Sequence, residues 1–378
     1  MLPVYLLILP TEQNPLKKPP KSFRGITEYR CNVSPDNPNS EQNKQVSMNS
    51  CTSRVTGSLM GGAIGDALGY PVKFTSLEDI ERTYGTSGLP ACLVPNPHTG
   101  RACFSDATQL TLFTAEGLIH AAKTSADPVK SVYRSYLRWL YTQDGGLLQQ
   151  ASTGLLAHAE MYVTRAPAAT TLAALHSGGM GSTETRINTS RSADAMMRTA
   201  PAGYIAGPRD ARVLGERIAA LTHGHPDGYR AAGAFSELIS LLIEGTPLLD
   251  AASEVQEKTA ATVWGEETAA RLSDAIRLVR EDVSDAKAVA SLGTGKTAER
   301  AFAIGLVCAL RHEDSFLDAV RAAANHGGDS SVTASVAGQI AGASLGREGI
   351  PDGWTRLLEL SELIDEYGTR IGALRGML

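Results

Sequence analysis

The stretch from Gly57 to Gly69, GSLMGGAIGDALG, places glycines at 57, 61, 65 and 69. A spacing of four puts all of them on one face of an α-helix. Each interior glycine costs a helix about 1 kcal/mol relative to alanine. A stripe of four therefore implies a neighbouring backbone packed too close for side chains, which points to a tightly packed helical protein. Composition agrees: 43% of the 378 residues are hydrophobic, 20% are charged, 37 are glycine and only 6% are aromatic. Small residues at that density favour close-packed helices over a β-sandwich. Helical periodicity runs through 129–142, 151–163, 211–222, 229–244, 250–259, 266–281 and 297–310, and Val332, Val336 and Ile340 mark one face of a further helix. Strand-like alternation of useful length and internal repeats are both missing. The expectation is an all-α, compact, many-helix domain over 51–378. Long loops at 70–104, 176–210, 223–228 and 282–296 break the pattern, and loops of that kind tend to carry function.

Residues 1–50 read differently. They hold seven of the 18 prolines, with PLKKPPK at 15–21 and SPDNPNSEQNKQ at 34–45. That composition predicts a mostly extended tail with one apolar tip. Two readings stay open: translation starting at Met48, or an arm that docks on a partner through its tip and basic middle. The start, MLPVYLLILP, carries two prolines and lacks a basic n-region and a small-residue cleavage site, which argues against a signal peptide. A formal net charge of −5 argues against a nucleic-acid or membrane-surface partner. No run approaches the roughly 20 apolar residues of a membrane span. Five cysteines, an odd number without CxxC spacing, read as reduced thiols in a cytoplasmic protein.

Two stretches share a design. Ser105-Asp106 opens one predicted helix, and Gly327-Gly328-Asp329-Ser330-Ser331 opens another. A helix N-terminus offers unpaired N–H groups and a partial positive charge. Ser and Asp are favoured N-caps, so capping is one reading of each. The other reading is a site. Asn325-His326-Gly327-Gly328 leaves backbone bare enough for a phosphate to approach its amides. Two helix mouths bearing carboxylates also suit hard cations. The run Thr222-His223-Gly224-His225 offers a His-x-His spacing, but reads better as loop structure ahead of the next helix.

GSLMGGAIGDALGYPVKF (57–74), FSDATQLTLFTAEGLI (104–119), MMRTAPAGYIA (196–206), LTHGHPDGYRAAGAF (221–235) and NHGGDSSVTASVAGQIAGA (325–343) occur in an order and spacing that resemble the ADP-ribosylglycohydrolase family. That family includes dinitrogenase-reductase-activating glycohydrolase and the ADP-ribosylarginine hydrolases. The resemblance covers about Arg54 to the C-terminus. It implies an all-α fold, a binuclear Mg²⁺ centre and hydrolysis of the glycosidic bond joining ADP-ribose to a side chain, often arginine. It also implies metal ligands from a Ser/Thr-Asp-Asp triplet and an Asp-x-Asp-Thr run, and a glutamate that closes over the substrate.

Several of those positions are altered here. Ser105 and Asp106 match the triplet, but Ala107 stands for its second Asp. Asp329 matches the later run, while Ser331 and Val332 replace its second Asp and its Thr. Lys73 stands where the glutamate belongs, and the loop Ser192-Ala193-Asp194-Ala195-Met196-Met197-Arg198 lacks the family's glycines. Three carboxylates are lost and one ammonium gained, so a metal pair would face only Asp106, Asp329 and the hydroxyls of Ser105 and Ser331. Mg²⁺ dehydrates reluctantly and needs anionic oxygens. The expectation is no stable binuclear centre, with Lys73 pairing instead with Asp106 or Asp329. Gly327, Gly328, His326, Gly293 and Gly295 match positions that surround ADP-ribose in the family, and Asp66 is expected to be a hydrogen-bonding support.

Two functions follow. One is a non-catalytic homologue that binds ADP-ribose, an ADP-ribosylated protein or an ADP-ribosyltransferase, in a regulatory or immunity role. The other is an active Mg²⁺-dependent hydrolase with an unusual site. Deleting residues 1–47 separates the readings of the tail. Loss of partner binding with an intact fold identifies a docking arm, and unchanged behaviour identifies a start at Met48.

Overall fold

The computed structural model describes residues 50–148 and 153–378, so the expectations for the tail, Met48 included, lie outside the described residues. Sixteen α-helices occupy the described chain: α1 (Ser50–Gly69), α2 (Leu77–Tyr84), α3 (Asp106–Thr124), α4 (Pro128–Gln143), α5 (Ala169–His176), α6 (Ala200–Ile205), α7 (Pro208–Ala220), α8 (Pro226–Ile243), α9 (Leu248–Ala260), α10 (Glu266–Leu278), α11 (Asp285–Leu292), α12 (Ala298–Arg311), α13 (Phe316–Ala324), α14 (Ser330–Leu345), α15 (Asp352–Leu357) and α16 (Ser361–Gly372). The only β-type pairings among the described residues are two isolated bridges, Ala102 with Leu358 and Ser192 with Thr297. The fold is all-α, as composition and periodicity predict. Among the described residues no helix is long and apolar enough to cross a membrane.

The glycine stripe finds its partner in α14. A Cβ built on Gly57, Gly61, Gly65 or Gly69 would lie 2.4, 2.2, 2.0 or 2.1 Å from the carbonyl oxygen of Gly342, Gly338, Ala334 or Ser330, respectively. Each step of four up α1 is a step of four down α14, so the two helices run antiparallel in one fixed register. Small residues on both sides allow backbone to lie on backbone. The Ser58 hydroxyl donates to Gln339 O across the seam at 2.9 Å. Arg54 Nη1 donates to Ala343 O (3.0 Å) and Ser344 O (2.7 Å) at the α14 C-terminus, where cations are favoured. Both helices are buried nearly from end to end.

Some expected elements change. In place of a helix over 151–163, the described part holds two 3₁₀ turns, Gly154–Ala157 and Ala159–Tyr162. Gly154 takes φ +62°, and the Gln109 side-chain amide donates to the carbonyls of Glu160 (3.2 Å) and Val163 (3.1 Å). Those carbonyls are thereby satisfied without a helical ladder. All four of the expected loops contain helix, 223–228 holding the start of α8. Ser76 caps α2 by accepting from the Asp79 amide at 3.1 Å, and Ser284 caps α11 by accepting from Lys287 N at 3.4 Å. The segment 176–210 contains α6 and the start of α7.

The seam makes a sharp prediction. Gly65→Ala gains helix propensity yet forces a methyl onto the Ala334 carbonyl, so urea denaturation should show a loss of at least about 2 kcal/mol. Alanine at the solvent-facing Gly207, where a Cβ meets nothing within 4 Å, should cost far less.

Candidate functional site

The seam ends at Gly69 against Ser330, and this contact brings the chain leaving α1 beside the start of α14. A 3₁₀ turn, Tyr70–Val72, follows α1 and delivers Lys73. Asp329 is the N-cap of α14, its Oδ1 accepting from the Val332 amide at 3.4 Å. Lys73 Nζ lies 3.4 Å from Asp329 Oδ1. One turn back along α1, Asp66 is fully buried and faces the N-terminus of α3. Its carboxylate accepts from Ser105 N (2.9 Å), Ser105 Oγ (2.7 Å), Thr108 N (3.2 Å) and Thr108 Oγ1 (2.7 Å). The α3 N-terminus thus offsets the unfavourable end of α1, and Asp66 is a support of the kind the sequence predicts. Asp106, the first residue of α3, is also buried, and its Oδ2 accepts from Ala168 N at 3.1 Å.

A fourth carboxylate joins them. Asp194, in the 3₁₀ turn Ala193–Ala195, is bonded by the Ser192 hydroxyl. It acts electrostatically on Lys73, Asp106 and Asp329 alike. Sequence reasoning passed over it because the family pattern drew attention to the missing glycines around it. The signal was present as an acid whose neighbours from Ala193 to Met197 are all small or apolar.

Charge and burial compete across the cluster. Burial lifts Asp106 to about 8, with Lys73 opposing the rise and Asp194 adding to it. Burial also lifts Asp329 to about 6, again against Lys73. Burial works to lower the Lys73 ammonium, but the charges of Asp329, Asp106, Asp194 and Asp66 outweigh it and hold the group above its ordinary value. The lysine is a fixed cation among carboxyl groups that are themselves reluctant to ionise.

The expected donor set for a magnesium pair therefore changes in two ways. Asp194 adds an acid, but the hydroxyls are committed elsewhere. Ser105 Oγ donates to Asp66 and accepts from Ala107 N at 3.1 Å, and Ser331 Oγ donates to Asp329 Oδ1 at 3.3 Å. Ala107 and Val332 are buried in the apolar core. Among the described residues no group of three or more His, Cys, Asp or Glu side chains is arranged to hold a metal ion. Donors of this chemistry do not fit two doubly charged cations. The nearest oxygen of Asp329 already has an ammonium beside it, and Asp106 would have to shed a proton.

The remaining candidates surround this centre. Gly328 O accepts from Phe74 N at 2.8 Å, and Asp329 N donates to Thr294 O at 2.9 Å. Gly328 itself packs so tightly on Thr294 that a Cβ would fall 2.0 Å from its carbonyl oxygen. Gly327 is looser, 3.6 Å from Leu77 N by the same measure. Gly293 caps α11 and Gly295 lies against Thr333, with φ +109° and +69°; both shape the loop that holds Asp329. His326 is buried, its Nε2 paired with Thr333 Oγ1 at 2.8 Å, and burial lowers it to about 4. That places it inside the wall as a neutral ring. His223 is bonded through Nδ1 to Thr222 Oγ1 at 2.8 Å, while His225 caps α8. The two histidines serve different neighbours, as a loop reading requires. Behind Asp106, Arg165 and Glu359 form a buried ion pair (Nη2–Oε2 2.8 Å) that no motif revealed. Arg165 Nη1 also donates to Phe104 O at 2.9 Å, fixing the approach to α3.

Both aspartates bind protons more tightly in the folded chain than at their ordinary value of 3.8. The unfolding free energy should therefore fall as pH rises from about 4 to about 8. Asp106→Asn keeps an acceptor for Ala168 N and removes the upper limb of that fall. Denaturant titrations at pH 8 should find the variant more stable than the parent, by on the order of a few kcal/mol.

Comparison with known proteins gives a consistent result. The ADP-ribosylglycohydrolase family model matches residues 47–377. The ADP-ribosyl-[dinitrogen reductase] glycohydrolase of Rhodospirillum rubrum is 24% identical over 318 residues, spanning 81% of this chain and 90% of that protein. A solved structure described as an ADP-ribosylglycohydrolase-related protein complex matches with a TM-score of 0.53 and 23% identity, over 86% of this chain and 99% of that one. That likeness speaks for the fold.

Proposed function

The chain belongs to the ADP-ribosylglycohydrolase family, and from that premise we propose that it is a non-catalytic member that binds ADP-ribose, free or attached to protein. It serves a regulatory or immunity role in ADP-ribosylation, with Lys73 as a tethered cation where relatives of its class use metal. The observation that carries this reading is the Lys73–Asp329 contact of 3.4 Å. An ammonium at that distance satisfies the carboxylate at the mouth of α14 without any ion from solution. The bare backbone of Gly327 beside it leaves room for a ligand, and the α14 N-terminus favours an anionic one.

Asp194 favours a second reading, an active hydrolase with an unusual site built on Ser105, Asp106 and Asp329, because its charge acts on both of those aspartates. Its carboxylate restores part of the charge that the altered motifs remove. The two readings differ in their dependence on metal.

Calorimetry with ADP-ribose, with and without Mg²⁺, separates them when run beside a turnover assay on ADP-ribosyl-arginine. Metal-independent binding without turnover is the expected result; turnover abolished by a chelator establishes the hydrolase. Melting curves add an independent check. Mg²⁺ should leave the parent's melting temperature unchanged and raise that of the triple variant Lys73→Glu, Ala107→Asp, Ser331→Asp.

A further inference from the structure

Phe74 has three properties that do not belong together in a residue present only for packing. Its backbone takes φ +58°, a conformation that is a steric outlier for a bulky side chain. Its ring is 54% exposed, so burial does not offset that strain. Two ammonium groups, Lys73 Nζ and Lys296 Nζ, each stand 5.6 Å from the ring centroid. The strained conformation is held by Phe74 N–H donating to Gly328 O at 2.8 Å and by Thr75 N–H donating to Val72 O at 2.9 Å. Backbone strain that persists without a packing reward is characteristic of ligand clamps.

The two lysines are not equivalent. Lys73 is committed to Asp329. Lys296 is exposed, and among the described residues its ammonium has no ion-pair partner and faces the ring. Its loop is tied to two neighbouring segments. Lys296 O accepts from Ala193 N at 3.1 Å, and two residues earlier Thr294 O accepts from Asp329 N at 2.9 Å. The turn carrying Phe74, the loop carrying Lys296 and the turn carrying Asp194 thus form one rim around the Lys73–Asp329 pair. At 5.6 Å the ammoniums sit near the outer limit of cation–π attraction. Beside them, more than half of the residue stays open to solvent.

We propose that Phe74 and Lys296 form a nucleotide clamp at the cleft mouth, the ring stacking on a purine base and the ammonium taking a phosphate of the same nucleoside diphosphate. Bases stack on any aromatic face, and an unpaired lysine is a point charge suited to phosphate. The clamp rests on the reading that the cleft takes ADP-ribose. It adds which residues hold the adenosine diphosphate half and leaves the ribose end to Gly327 and the α14 mouth.

Calorimetry on the full chain tests it with three ligands: ADP-ribose, ADP and ribose 5-phosphate. Phe74→Ala should weaken ADP-ribose and ADP by about tenfold or more, leave ribose 5-phosphate unchanged and preserve the melting temperature. Phe74→Tyr should bind like the parent. Lys296→Gln should weaken the two diphosphates and flatten their salt dependence. Parental affinities for ADP-ribose in both Phe74→Ala and Lys296→Gln overturn the clamp and leave the ADP-ribose reading standing. A parent that binds ADP as tightly as ADP-ribose, with Phe74→Ala losing both, upholds the clamp and overturns that reading. A parent that binds none of the three ends both.

Discussion

The site depends on how closely α1 and α14 approach. Four glycines on one helix meet Gly342, Gly338, Ala334 and Ser330 on the other, with separations that leave no room for a Cβ on α1. This contact fixes register as well as distance. A slip of one residue would drive side chains into carbonyls, so Gly69 must face Ser330, and the residues just beyond each helix end must meet. Lys73 and Asp329 are those residues. The charge centre is therefore placed by van der Waals exclusion some distance away from it. The stripe lowers helix propensity in α1 and in exchange gives a seam that admits one arrangement.

Within that arrangement the electrostatics are nearly balanced. At an effective dielectric of about 20, an ammonium 3.4 Å from a carboxylate is attracted by about 5 kcal/mol. Burying the two ions costs several kcal/mol each, so the pair contributes little net stability. Its value lies in what its absence would leave. Asp66, Asp106, Asp194 and Asp329 crowd one buried corner, and without a cation each ionisation makes the next harder. A chain that keeps these acids needs a positive charge among them. A covalently attached ammonium meets that need at every metal concentration, and its four-carbon stem reaches from the turn after α1 without altering either helix mouth.

Much of this was legible in the sequence, and the misses share a cause. The glycine spacing announced the seam before its partner was known, because period four on a helix has one geometric meaning. Ser105, Asp106, Asp329 and Ser331 were legible as helix-mouth residues, and Lys73 as the residue placed opposite them. Asp194 was not, because its role comes from a tertiary approach of the 192–195 turn to α3 and α14, and no local period encodes it. The same holds for Arg165 and Glu359, which lie 194 positions apart and meet behind Phe104. The helix expected over 151–163 failed for a related reason. Gln109, a side chain on α3, holds the carbonyls of Glu160 and Val163 from a distant part of the sequence.

The altered positions form a coherent set. Ala107 and Val332 pack in the apolar core, where a carboxylate or hydroxyl would need a partner that the neighbouring side chains do not offer. Ser105 and Ser331 turn their hydroxyls onto Asp66 and Asp329, so neither hydroxyl oxygen stands free. Lys73 supplies the charge that remains to be balanced. The hydroxyls, the packed side chains and the ion pair each have a partner in this corner of the fold.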